Sequence, residues 1–184
     1  MSLPRGATSL RRGAGPLGGS ALRIIGIDPG LASMGYGIIE LDAGRMRHLN
    51  HGCVTTRASM SMGARLLEIF AAVSALIDEW SPRVAGMESL YFARNVSSAL
   101  PVAEAKGVIR LAFARARIPL EEYPPNALKL AVTGSARAEK DQVQEMVRIL
   151  LGLEALPSPD HAADALAAAI CRANHDGPLG SRSI

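Results

Sequence analysis

An α/β domain with a mixed central sheet is what this sequence predicts. Three observations carry the expectation: apolar alternation fills three early β-rich runs, a helical period takes over at Ser61, and short apolar strands then alternate with helices. Runs joined by tight turns pair antiparallel, whereas strands separated by helices pair parallel. The sheet should therefore be antiparallel at one edge and parallel further on, with helices on its faces.

The first strand is Arg23 to Ile27, where Ile24, Ile25 and Ile27 form a β-branched run that Pro29-Gly30 stops. Tyr36 to Leu41 makes the second, Asp42-Ala43-Gly44 is turn chemistry, and Met46 to Thr55 makes the third. From Ser61 the residues Leu66, Leu67, Ile69, Phe70, Val73, Leu76 and Ile77 recur at helical spacing until Ser81-Pro82 ends the element. Arg83 to Glu88 is a short strand that finishes in a carboxylate. Ser97 to Arg117 reads as a long amphipathic helix, Pro119 to Glu122 as another short strand, and Pro125 to Val132 as a short helix. Helices at Glu139 to Leu151 and His161 to Ala173 follow, parted by a loop with Gly and Pro.

The chain has 184 residues, 48% of them apolar and 20% charged, and a mean hydropathy of +0.16, which describes one globular domain with tails. The net charge of +3 belongs to residues 1–22, where Arg5, Arg11 and Arg12 meet no acid among five glycines and two prolines. That stretch reads as a disordered arm, residues 23–175 as the domain and 176–184 as a flexible tail. Bulk charge is therefore no argument for a nucleic-acid partner. Two cysteines are too few for a disulfide framework and suit a reducing cytoplasm. No run is long and apolar enough to span a membrane, and no hydrophobic signal core opens the chain. His51 with Cys53, and Cys171 with His175, have spacings unlike zinc motifs and are read as ordinary core or surface residues.

Chemistry gathers at element ends. Asp28 closes a β-branched strand, and a carboxylate in such apolar surroundings calls for a cation. Glu88 repeats the pattern on the later strand. His161 and Asp164 stand three apart at the start of an Ala- and Leu-rich helix and share one face. If the strands are neighbours and the helix packs over them, the four converge on a site for one or two hard divalent ions. Each has a plainer reading: Asp-Pro-Gly is ordinary turn chemistry, Glu88 a solvated strand end, and Asp164 an acid favoured by the helix dipole.

The segments Ile25-Gly26-Ile27-Asp28-Pro29-Gly30 with Gly35-Tyr36-Gly37, Glu88 to Asn95, Gly134-Ser135 to Gln144, and Ala162-Ala163-Asp164-Ala165-Leu166-Ala167 follow one another in register. Together they resemble the RuvC Holliday-junction resolvases of the ribonuclease H-like superfamily, over about residues 23–175. The resemblance implies a ribonuclease H-like fold in which Asp28, Glu88 and Asp164 bind two Mg2+ or Mn2+ ions. It implies a fourth ligand one turn before Asp164, where this chain has His161. The imidazole tilts the site towards manganese, or serves instead as a base on the attacking water. Asp160, after Pro159, reads as the helix N-cap, with an auxiliary ligand as the alternative.

What the resemblance implies further is a crossover junction endodeoxyribonuclease that nicks two strands of a four-way junction and leaves 5′-phosphate and 3′-hydroxyl ends. Tyr91 and Phe92 become wedges among unstacked bases, and Arg94, Lys106, Lys129, Ser135 and Lys140 become DNA contacts, with Gly134 and Ser135 offering backbone N–H groups to a phosphate. A symmetric substrate calls for a homodimer, with the long helix as interface, and RuvA and RuvB are the expected partners. An actin-like ATPase or sugar kinase would share the opening Gly-Ile-Asp, but the chain lacks room for a second phosphate-binding lobe. A junction-binding protein that has lost cleavage is the non-enzyme alternative.

Overall fold

The computed structural model describes residues 21–89 and 96–176. Its elements are β1 (Leu22–Asp28), β2 (Ser33–Asp42), β3 (Arg45–Thr55), α1 (Met62–Trp80), β4 (Val84–Glu88), α2 (Val96–Arg115), β5 (Leu120–Tyr123), α3 (Pro125–Thr133), α4 (Lys140–Leu151) and α5 (Asp160–Asp176). The five strands lie in the order β3-β2-β1-β4-β5. β1–β2 and β2–β3 are antiparallel, whereas β1–β4 and β4–β5 are parallel. The expected mixed sheet is thus present, and its antiparallel half follows from the turn at Ala43 and Gly44, both at positive φ.

Small differences have local causes. Leu22, placed in the arm by sequence, pairs with Leu41, so order begins one residue earlier. α2 stops at Arg115 rather than Arg117, because Arg117 takes a left-handed φ of 58° and turns the chain towards β5. A register shift between Ile38 and Ile39 marks a bulge against β3 that alternation alone did not reveal. The helix starts at Met62, and Ser61 caps it, its hydroxyl accepting from the Ala64 N–H at 3.4 Å.

Strand alternation divides the core. Ile25, Ile27, Ile38, Ala85 and Met87 face α1 and α2 and join Ile69, Val73, Ile109 and Phe113 in one fully dry cluster. Each such isoleucine contributes about 1.5–3 kcal/mol on burial. Ile24 and Ile39 point to the other face, where Leu166 and Ile170 of α5 meet Val143 and Val147 of α4.

On that second face α5 comes unusually near the sheet. Gly26 pairs with Gly37 on one side and Gly86 on the other, so three glycines form a row across three strands. A methyl at Gly26 would stand 1.9 Å from the Ala165 carbonyl oxygen, and one at Gly86 would stand 2.6 Å from that of Ala168. The helix answers with Ala162, Ala163, Ala165, Ala168 and Ala169, all without exposure. Glycines on the sheet and nothing larger than a methyl group at these helix positions let the backbones approach, and this closeness places the start of α5 over the ends of β1 and β4.

Candidate active site

Two residues beyond Gly26 on β1 stands Asp28, paired in register with Gly35 of β2. Two residues beyond Gly86 on β4 stands Glu88, so both carboxylates leave the face that α5 covers. The first turn of α5 supplies His161 and Asp164. Donor atoms of Asp28, His161 and Asp164 lie within 4.8 Å of one another. His161 Nδ1 is 2.6 Å from Asp28 Oδ2, a bond between residues 133 positions apart. Glu88 adjoins this trio, and with Asp164 it lines a cavity of about 180 Å³ whose wall also includes Leu128, Val143, Lys129 and Lys140.

The electrostatics are those of acids crowded together. Burial pushes Glu88 up to about 7; the charges of Asp28 and Asp164 and a hydrogen bond with Asp28 add to this, and Lys106 offsets part of it. Asp164 is also raised, first by burial and then by Asp28, while Lys140 and His161 act against the shift. Repulsion of this kind is relieved by a positive charge placed among the oxygens. Three carboxylates and one imidazole are a donor set that fits a hard or borderline divalent cation.

The remaining sequence-predicted residues divide clearly. Lys129 and Lys140 border the cavity. Lys140 is held there by Asp160, whose Oδ2 accepts from its Nζ at 2.8 Å while Gln144 Nε2 donates to Oδ1 at 3.1 Å. Asp160 is consequently not the helix N-cap: it is the first residue of α5, and its exposed carboxylate turns to α4, with Lys140 holding its pKa below the usual range. Lys106 is a second correction, since it is only 3% exposed and donates to Glu122 at 2.7 Å, which removes it from any DNA-facing surface. Helical period put it on the inward side of α2, and Glu122, shared with Arg110, provides its counter-charge.

Ser135 is exposed, but the loop amides expected to cradle a phosphate are engaged internally. Gly134 donates to the Leu130 carbonyl, Ser135 to Thr133 Oγ1 and Arg137 to Ser135 Oγ. Tyr91, Phe92 and Arg94 lie outside the described residues. Sequence reasoning missed Gly35, which packs under the backbone of His161, and Gln144, which steadies Asp160. The signal for Gly35 was its position in Gly35-Tyr36-Gly37, two glycines on one strand face opposite an alanine-rich helix.

A mixed five-stranded sheet of this order with helices on its faces is a ribonuclease H-like fold, and the donors gather where its two parallel strands end. Residues 24–172 match the family model Crossover junction endodeoxyribonuclease RuvC. The chain belongs to the RuvC family. It is 53% identical over 151 residues to the crossover junction endodeoxyribonuclease RuvC of Treponema denticola, covering 82% of this chain and 85% of that one. The solved RuvC of Thermus thermophilus superposes with a TM-score of 0.78 at 32% identity, over 84% of this chain and 95% of its own. The T. thermophilus RuvC in complex with a Holliday junction substrate gives 0.77 at 30% identity, over 84% and 94%.

Proposed function

We propose that this chain resolves Holliday junctions by paired, symmetric, metal-dependent nicks that leave 5′-phosphate and 3′-hydroxyl ends a ligase can seal, in DNA recombination and repair. The observation that carries the reading is the Asp28–His161–Asp164 cluster, within 4.8 Å, on the framework of a family with a member solved on a junction. Asp28, Glu88, His161 and Asp164 would hold Mg2+ or Mn2+, two ions in the full site. When bound, such ions supply Lewis-acid activation of water and charge neutralisation at the phosphate.

The chain's own groups set the rest. With Nδ1 bonded to Asp28, His161 keeps Nε2 free to ligate or to accept a proton from water. Lys129 and Lys140, at the cavity wall, fit contact with the phosphate backbone, and Ser135 and Arg94 are the further DNA contacts of this reading. Tyr91 and Phe92, just past Glu88 in sequence, are the proposed wedges at the junction centre.

A symmetric junction calls for a second copy, and α2 offers the face. Leu100 and Leu111 are each 59% exposed, and Gly107 between them has open space where a Cβ would stand. A glycine in a helix interior costs about 1 kcal/mol against alanine, and it is worth keeping where another helix must cross closely. Partnership with RuvA and RuvB in the cytoplasm completes the reading. Among the described residues no helix is long and apolar enough to cross a membrane.

The test is a synthetic mobile four-way junction with the wild type, Asp28→Asn, His161→Ala and Asp160→Asn, in Mg2+ and in Mn2+. Paired, ligatable nicks should vanish in Asp28→Asn and fall about 100-fold or more in His161→Ala, while Asp160→Asn, which alters the shared partner of Lys140 and Gln144, changes the rate a few-fold. Junction binding without cutting in either metal would replace the nuclease reading with that of a binding protein.

A further inference from the structure

We infer that Gly35 is a positioning residue for the metal centre: it fixes the height of the α5 N-terminus above β2, and with it the place of His161 beside Asp28. The inference rests on the proposed nuclease site and deepens it. Gly35 pairs with Asp28 across the β1–β2 ladder, so it lies next to the carboxylate that His161 contacts. An ideal Cβ on Gly35 would fall 1.9 Å from the His161 carbonyl oxygen and 2.4 Å from its carbonyl carbon, where real Cβ atoms do not come within 3.0 Å. Both colliding atoms are backbone and cannot swing aside, as the tip of a flexible side chain would.

The only relief is to lift the first turn of α5 or push β2 away, by on the order of 1 Å. The turn cannot pivot freely, because the next approach down the helix is equally close: an ideal Cβ on Gly26 would fall 1.9 Å from the Ala165 carbonyl oxygen. Glycine at position 35 is not required by backbone angle, since Gly35 is not among the glycines at positive φ. Space for the His161 backbone is what it supplies. Displacement of a catalytic donor by 1 Å costs about 100-fold in rate, and the loss should fall on metal binding and turnover rather than on the junction-binding surface.

The experiment is a double-mutant cycle on junction cleavage, using Gly35→Ala, His161→Ala and the pair, with Mn2+ affinity of each protein measured by calorimetry and junction binding measured in EDTA. Gly35→Ala should lower the turnover rate about 100-fold and weaken Mn2+ binding, while EDTA-phase junction affinity stays within twofold. In the His161→Ala background the same change should cost clearly less than in the wild type, because one of the two donors on the displaced turn is gone. Ile69→Ala, in the core on the opposite face, is the control for destabilisation alone and should keep its turnover rate.

Additive losses in the cycle, or wild-type cleavage by Gly35→Ala, overturn the inference. If Gly35→Ala does not fold, Gly26→Ala with Asp164→Asn carries the same cycle one turn further on, and failure of both glycine variants to fold overturns it too, since the glycines would then serve the fold alone. A wild type that binds the junction and Mn2+ but never cuts defeats the nuclease reading instead, and the calorimetric arm still reports on Gly35.

Discussion

Replacing Glu88 by glutamine should make the metal-free protein more stable while removing its activity. Glu88 is an acid whose pKa rises from 4.5 to about 7 in the fold, by burial and by repulsion from Asp28 and Asp164. The folded state therefore holds a proton more tightly than the unfolded chain. Its contribution is fully present below about pH 4.5 and is lost as pH rises through about 7. At about 1.4 kcal/mol per pKa unit the upper bound is on the order of 3 kcal/mol. Solvent reaches part of the side chain, and screening reduces the expected figure to about 1–2 kcal/mol. Glutamine, neutral throughout, escapes this loss. For a chain of this size the gain corresponds to roughly 3–6 °C in Tm.

The assay is thermal unfolding in EDTA at pH 4.5 and pH 8.5. The two proteins should melt together at the lower pH, and Glu88→Gln should melt higher at the upper one. Addition of Mn2+ at pH 8.5 should reverse the order, because an ion bound only by the folded state stabilises the complete site more. A variant no more stable than wild type at pH 8.5, or equally favoured at both values, would refute the argument that uncompensated carboxylate charge dominates the site.

Three further outcomes are expected. His48, which shares a 2.8 Å hydrogen bond with His51, has its pKa pushed down to about 4, first by burial and then by its neighbour. Its contribution is intact above the ordinary value of 6.5 and is lost as pH falls towards 4; His48→Gln should show a smaller drop in urea midpoint between pH 7 and pH 5, and an unchanged drop counts against it. Lys106→Met leaves Glu122 with Arg110 alone and should cost about 1–3 kcal/mol in urea unfolding; a cost below about 0.5 kcal/mol would show the ion pair to be idle. Gly107→Arg should convert a dimer to a monomer in sedimentation equilibrium and leave any cutting unpaired, whereas retention of the dimer would move the interface off this face of α2.

Much of this was legible in the chain itself, and the reasons differ by element. Ile24, Ile25 and Ile27 declare β1 because β-branched alternation has no helical reading, and Pro29-Gly30 ends it. Asp28 and Glu88 stand out because a carboxylate ending an apolar run is costly without a partner, and Asp164 because it shares a helix face with His161. The burial of Lys106 was not legible from proximity to a motif, since whether a helical lysine points in or out depends on which face meets the sheet. Nor was the pairing of Asp160 with Lys140, which joins two helices 20 residues apart. The glycine row was hidden for another reason. Gly26, Gly37 and Gly86 each look like a weak point in a strand, and only strand register shows that they are one surface.

The 133-residue span between Asp28 and His161 has a consequence for the cell that makes this enzyme. Synthesis runs from the N-terminus, so β1, β2 and β3 emerge with Asp28 already in place long before α5 exists. A nascent chain carries part of the donor set and none of the helix that completes it. On the proposed reading the donor set is completed only when α5 docks on the sheet, as the last step of assembly.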